Sequence, residues 1–160
     1  MRAAVLHDFF DKRGGGERVA LSLARIFGAD LYTGFLEEEK TYDTKGIELK
    51  SFGIRASNPL SRGRKIWNKF ESLDIDYDLY IFSGTWCTAA SKKLKPNILY
   101  MHTPPRFLYD LKEHFEGRMN PLQRMIFRRF CESQKIRDQT AIRQFGAIAV
   151  NSKNTLERAM

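Results

Sequence analysis

The chain is short of several residue types, and each shortage closes off a class of protein. Its 160 residues include two cysteines, Cys87 and Cys131. Two isolated thiols make no disulfide framework and have no metal-ligand spacing, so both read as buried free thiols. No apolar run approaches the roughly 18 residues that cross a bilayer. The opening Met1-Arg-Ala-Ala-Val5 has no apolar signal core ahead of a cleavage site. A cytoplasmic protein is the expectation. Repeats and low-complexity tracts are also missing, which excludes solenoids and biased linkers. What remains is 42% hydrophobic and 29% charged, the composition of one globular domain with a real core.

Acid is in short supply too. Nineteen Asp and Glu face 27 Lys and Arg, a net charge of +8. Such a balance implies an anionic partner: nucleic acid, a phosphorylated metabolite or an acidic membrane surface. The charge is unevenly placed. Residues 51–70 carry Arg55, Arg62, Arg64, Lys65 and Lys69 with no acid. Residues 118–145 carry Arg118, Arg124, Arg128, Arg129, Lys135, Arg137 and Arg143 against Glu132 and Asp138. The acids gather at Glu37-Glu38-Glu39 and between Asp74 and Asp78.

Periodicity sets the architecture. Ala3 to His7 is a short apolar strand broken by Lys12-Arg-Gly-Gly-Gly16. Val19, Leu23, Ile26 and Phe27 then recur at helical spacing, with Gly28 placed as a C-terminal cap. Asp30 to Thr33 returns as a strand. This strand, glycine loop, helix and strand open a parallel α/β sheet. Further on, Ile47 to Lys50 alternates as an edge strand, and Arg64 to Leu73 reads as a helix with Ile66, Trp67 and Phe70 on one face. Tyr77 to Phe82 is a strand ending at Ser83-Gly84, Thr88 to Leu94 suits a helix, and Asn97 to Met101 is the next strand. A long helix from Pro121 to Phe145 follows, Pro121 fitting its first turn. Ala147 to Asn151 is a last strand, and Ser152 caps a helix at the end of the chain. A freshly capped helix ending at Met160 suggests one domain, residues 1–160, of a longer protein.

Two segments carry candidate chemistry. His102-Thr-Pro-Pro-Arg-Phe-Leu-Tyr-Asp-Leu111 follows a strand directly. Its two prolines fix φ and remove donors, making a stiff loop at the strand's carboxyl end, where α/β sheets bind ligands. His102 reads as a functional histidine there; its structural alternative is a bond to a neighbouring carbonyl. Arg106 either pairs with Asp110 one turn on or holds a phosphate. Gly14-Gly15-Gly16 invites an anion, since glycines expose backbone N–H groups beside a helix N-terminus; its alternative is a turn needing positive φ. The loop matches neither the Gly-x-Gly-x-x-Gly fingerprint nor a Walker loop. No acid closes the second strand for a ribose, where Thr33-Gly34 stands. His7 faces the same rim, for substrate or for structure, and His114 reads as a solvated helix residue.

The 121–145 helix sets Leu122, Met125, Ile126, Phe130, Ile136 and Phe145 among arginines. It is either a core-packed helix with a solvated basic face or a surface meeting anionic lipid. Residues 57–70 with Trp67 share that ambiguity. Nucleic acid is not expected, because no helix-turn-helix, zinc or single-strand signature accompanies the charge.

The motifs themselves resemble a family. Gly14-Gly-Gly-Glu-Arg-Val19 is similar to the Gly-Gly-x-Glu-Arg-Val loop opening family 4 glycosyltransferases of the GT-B fold. Tyr100-Met-His-Thr-Pro-Pro-Arg-Phe-Leu-Tyr-Asp110 resembles the His-Thr-Pro-x-Arg-Tyr-x-x-Asp loop of the WbaZ-like mannosyltransferase branch, with Phe107 for its usual Tyr. Ala149-Val-Asn-Ser-Lys153 is similar to a late strand-to-helix segment of the same N-terminal domain.

The resemblance implies a single Rossmann-like, doubly wound, mainly parallel sheet, the N-terminal, acceptor-side half of a GT-B fold. The donor-binding C-terminal domain, with its paired glutamates, is not in this chain, which alone is expected to be inactive. It implies a retaining transfer of a sugar, mannose first, from a nucleotide sugar such as GDP-mannose to a glycan or lipid-linked acceptor, with no cofactor and no obligatory metal. By the same resemblance His102 contacts the transferring sugar, Gly14, Gly15 and Gly16 approach the donor phosphates, and Arg106 holds an anion or braces its loop; His7 and Glu17 are further candidates for substrate contact. A membrane or acceptor surface falls to Arg64, Lys65, Trp67, Arg124, Arg128 and Arg129. The rivals are a nucleotide-dependent Rossmann enzyme of another class and a basic nucleic-acid-binding module.

Overall fold

The structure, a computed structural model, describes residues 1–56 and 58–159. Ser57, the first residue of the 57–70 segment, and Met160 lie outside the described residues. Six strands, β1 (Ala3–Phe10), β2 (Asp30–Leu36), β3 (Leu49–Ser51), β4 (Leu79–Phe82), β5 (Asn97–Met101) and β6 (Ala147–Val150), form one sheet. All its pairs are parallel, in the order β3-β2-β1-β4-β5-β6. The chain winds outward from β1 to β3, returns to β4, and winds the other way to β6. Helices on both faces make the sheet doubly wound.

Each face has its own core. Helix α1 (Gly15–Phe27) lays Ala20, Leu21 and Ala24 on Val5, Phe10, Leu31 and Ile81. The opposite face packs Leu6, Phe82 and Leu99 against helix α2 (Pro59–Glu71) and a 3₁₀ turn over Cys87–Ala90. Central strands buried on both sides explain why β1 and β4 read as apolar runs rather than alternating ones. A third, smaller cluster of Leu108, Phe127 and Cys131 sits between the His102 loop and helix α4 (Pro121–Ile142). Both cysteines are free and buried.

Helix boundaries follow local chemistry. Gly28 adopts the left-handed region, φ 56°, and lets Ala29 N–H bond back to the Ala24 carbonyl at 2.8 Å. Asn58 caps α2 by accepting from Ser61 N–H, and Asn120 and Gln123 form a reciprocal capping box on α4, with proline in each first turn. Ser152 Oγ accepts from Thr155 N–H to start α5 (Lys153–Ala159).

Several element boundaries differ from expectation. The first strand runs to Phe10 and the second to Leu36, so acids do follow the second strand: Glu37, Glu38 and Glu39. Thr33-Gly34 lies within the strand, where a Cβ on Gly34 would fall 2.7 Å from Ile66 and 2.8 Å from the Asp8 carbonyl. The 88–94 helix is only the 3₁₀ turn. A short helix, α3 (Lys112–Glu116), precedes α4 and had no signal, being five residues long without a side-chain cap. No helix among the described residues is long and apolar enough to cross a membrane.

Candidate functional site

The strand order reverses between β1 and β4, and the crevice beyond their carboxyl ends is where such sheets bind ligands. A cavity of about 460 Å³ opens there. The glycine loop and Glu17 line one side, His7 and Asp8 of β1 the floor, Ser83 and Gly84 the β4 end, and His102, Thr103 and Pro105 the far wall. Segments far apart in sequence, the Gly14–Gly16 loop and the His102 loop, therefore share one space.

Ser83 links the two histidines. Its carbonyl accepts from His7 Nδ1 and its hydroxyl meets His102 Nε2 at 2.8 Å. His7 is buried and His102 half-buried. Burial, then the neighbouring His7, pushes the His102 pKa below its ordinary value, with Asp8 opposing. At neutral pH His102 is thus an uncharged imidazole suited to hydrogen bonding rather than a fixed cation.

Asp8 holds the β4 end in place. Its carboxylate accepts from the backbone N–H groups of Thr85 at 2.7 Å and of Trp86 and Cys87 at 2.8 Å each. A Cβ on Gly84 would lie 2.5 Å from that carboxylate, so only glycine fits.

The glycine loop is not a positive-φ turn: the glycines with positive φ are Gly28, Gly46 and Gly53. Gly14 is the extended N-cap of α1, and Gly15 and Gly16 are its first turn. A Cβ on Gly15 would meet nothing within 4 Å, and one on Gly16 would sit 3.6 Å from His7 and 3.9 Å from His102. Glycine here keeps open the space in front of the helix N-terminus. The Glu17 carboxylate crowds the place a Gly14 Cβ would take. Glu17 is 4% exposed, faces the cavity, and makes no side-chain hydrogen bond among the described residues. Lys12 is the one lysine or arginine in the lining and is exposed.

The His102 loop is braced from three sides. Phe107 stacks on Trp86, ring centroids 5.8 Å apart. Tyr109 donates to Asp138 of α4 at 2.7 Å. From α5, Thr155 donates to the His102 carbonyl at 3.1 Å, and Arg158 reaches Thr103 Oγ1 at 3.0 Å and Asp110 at 2.9 Å. Arg106 pairs with Asp110 at 3.0 Å and is not in the cavity lining; its guanidinium, with Arg158 beyond it, holds the Asp110 carboxyl below the usual range. Of the two expected partners of Arg106, Asp110 is the one that the structure contains. Asp138 lines the cavity and burial raises its pKa, opposed by the Tyr109 hydrogen bond.

The six surface candidates separate. Trp67 is buried in the core, so it forms no membrane surface. Arg64 and Lys65 are exposed, Lys65 donating weakly to the Arg55 carbonyl at 3.4 Å. Arg128 donates from Nε and Nη2 to one Glu116 oxygen, Oε2, at 2.8–2.9 Å, Arg124 is half-buried, and Arg129 is exposed. His114 is exposed as expected. Sequence reasoning missed Asp8, Ser83, Asp138 and Lys12 as site residues. Only the Ser83-Gly84 break at a strand end offered a signal; the others depend on strand register and helix facing.

None of Glu37–Glu39 lines the cavity, and Glu37 pairs with Lys40 at 2.8 Å, so the acids after β2 do not supply a ribose contact in this site. Among the described residues no three His, Cys, Asp or Glu side chains converge on a metal position. The chain matches no family model and no curated protein.

Proposed function

We propose that this domain is the acceptor-side half of a retaining glycosyltransferase, moving a sugar, mannose first, from a nucleotide sugar to a glycan or lipid-linked acceptor. One observation carries the reading: the Gly14–Gly16 loop faces His7 and His102, both held by Ser83, across one cavity at the switch point of the sheet. Backbone N–H groups at the start of α1 and the Lys12 ammonium suit a diphosphate. The free Glu17 carboxylate and the histidine nitrogens suit sugar hydroxyls. A neutral His102 would donate or accept a hydrogen bond at the transferring sugar, orienting it and helping to offset charge near the anomeric carbon.

In the transfer, the bond between the anomeric carbon and the phosphate oxygen breaks and an acceptor oxygen bonds to that carbon on the same face. The acceptor's proton passes to the departing phosphate oxygen, so no carboxylate base is required of this domain. The paired glutamates of the resembling family belong to a second domain, so this chain alone is expected to bind donor weakly and not turn over.

Titration with GDP-mannose, NAD and a short single-stranded RNA, read on the imidazole NMR signals of His7 and His102, tests the reading. GDP-mannose is expected to shift both signals, Lys12→Ala to weaken binding about tenfold, and Gly16→Val to abolish it. Preferential binding of NAD, or of RNA with steep salt dependence, would replace the transferase reading with one of its rivals.

A further inference from the structure

Helix α4 carries apolar residues on both of its sides. Its buried positions are Phe127, Cys131, Gln134, Asp138 and Ala141, and Gln134 and Asp138 are each only 4% exposed. On the opposite side Leu122, Met125, Ile126 and Ile136 stand 63, 48, 57 and 67% exposed. At 100° per residue these four fall within one stripe that also contains Arg129, Ser133 and Thr140. From Leu122 to Ile136 the stripe runs about 21 Å along the helix.

We propose that this outward face of α4 docks on an anionic lipid surface, the helix lying in the plane of the headgroups. Its surroundings select that occupant. Arg118, Arg129 and Arg143 are exposed in or beside the stripe, and Arg137 at its edge lies over the Trp67 ring, 5.9 Å from the centroid. The acids of the same helix are few: Asp138 points inward, and Glu132 alone is exposed. Glu116 is already neutralised by Arg128 at 2.8 Å. A second copy of this chain would set cation against cation. A polar polyanion would satisfy the arginines but leave the leucine and isoleucines in water. A bilayer with acidic headgroups takes both, apolar side chains below and arginines at the phosphates. Asp138 and Ile142 of the same helix line the cavity, so docking would hold the site near lipid-borne substrate. The proposal does not depend on the sugar-transfer reading.

Co-sedimentation of the chain with vesicles tests it without any sugar nucleotide, so failure here leaves the transfer reading standing. Vesicles containing about one-third phosphatidylglycerol should pellet the protein, less so as salt rises. Pure phosphatidylcholine vesicles should not. The Leu122→Ser/Ile126→Ser pair should lower partitioning about tenfold or more, and Arg129→Gln about fivefold. Circular dichroism melts guard against unfolding, with Met125→Ser as a milder second variant. No pelleting with the anionic vesicles, or equal pelleting with neutral ones, would overturn the proposal. So would partitioning that Arg129→Gln lowers but the serine pair leaves unchanged, which is plain electrostatic adsorption. Sedimentation velocity showing self-association that the serine pair abolishes would assign the face to a second copy instead.

Discussion

Helices α2 and α4 are both basic, both begin with an asparagine cap followed by proline, and both carry apolar residues at helical spacing. In space they differ: α4 buries Phe127, Cys131 and Ala141 but leaves a second apolar stripe outside. Helix α2 buries Ile66, Trp67 and Phe70 in the larger core and leaves Arg64, Lys65 and Lys69 in water. Its Gly63 lies so close to the Trp86 indole that any side chain there would collide. Helix α4 turns Gln134 and Asp138 inward and Leu122, Ile126 and Ile136 outward. The difference lies in what each helix faces. The sheet beneath α2 is apolar and accepts its aromatic residues. The inner side of α4 meets the His102 loop and the polar cavity, where Tyr109 needs an acceptor and Asp138 supplies one. A basic amphipathic pattern fixes that a helix has two faces, not which one is buried.

The contrast predicts a graded set of effects. The largest belongs to α2: Trp67→Ala empties a filled core position and should cost about 3–5 kcal/mol in denaturant unfolding; a cost below about 1 kcal/mol would mean Trp67 is not packed as described. Next comes the inward polar face of α4. Tyr109→Phe removes the donor to Asp138 and should cost about 1–3 kcal/mol at neutral pH. Losing that bond raises the Asp138 pKa further above its unfolded value. A raised carboxyl pKa gives stability that is present below the unfolded value, near 4, and is lost as pH climbs through the folded one. The penalty of Tyr109→Phe should therefore shrink on acidification toward pH 4, and a pH-independent penalty would contradict the assignment.

A smaller effect comes from His102. Its depressed pKa means that the unfolded chain binds the proton more readily. Its contribution to stability is intact above about pH 6.5 and declines as pH falls from there toward the folded value. His102→Asn should flatten that part of the stability profile; unchanged acid sensitivity would place the titrating group elsewhere. The smallest effect belongs to the outward face of α4: Leu122→Ser with Ile126→Ser should change unfolding stability by no more than about 0.5 kcal/mol. A large loss would show that this face packs against something in the folded chain.

Much of this molecule is legible one segment at a time. The strands announce themselves as apolar runs, Gly28 as a left-handed cap, and the His102 loop by its prolines. The cavity was legible only as two separate halves, because the parallel register of β1 and β4 brings Asp8 under residues 85–87 and His7 beside Ser83. No local pattern encodes that pairing. Helix α4 was legible as a helix but not in its facing, since outward Leu122 and Ile126 obey the same spacing as a core stripe. Arg106 offered two partners, and the structure shows the pairing with Asp110.

Gly15 and Gly84 would behave differently in a library of random variants. Gly84 touches the Asp8 carboxylate, so any selection that merely asks for a folded chain should leave glycine alone there. Gly15 opens onto empty space, and folding by itself should admit alanine, serine or larger residues without penalty. Enrichment of glycine at position 15 can then come only from a selection that includes the bound partner. Sorting one library twice, first for abundance and then for ligand capture, turns this pair of glycines into an internal reference and a reporter. The gap between their tolerances would measure what the cavity is for, separately from what keeps the chain folded.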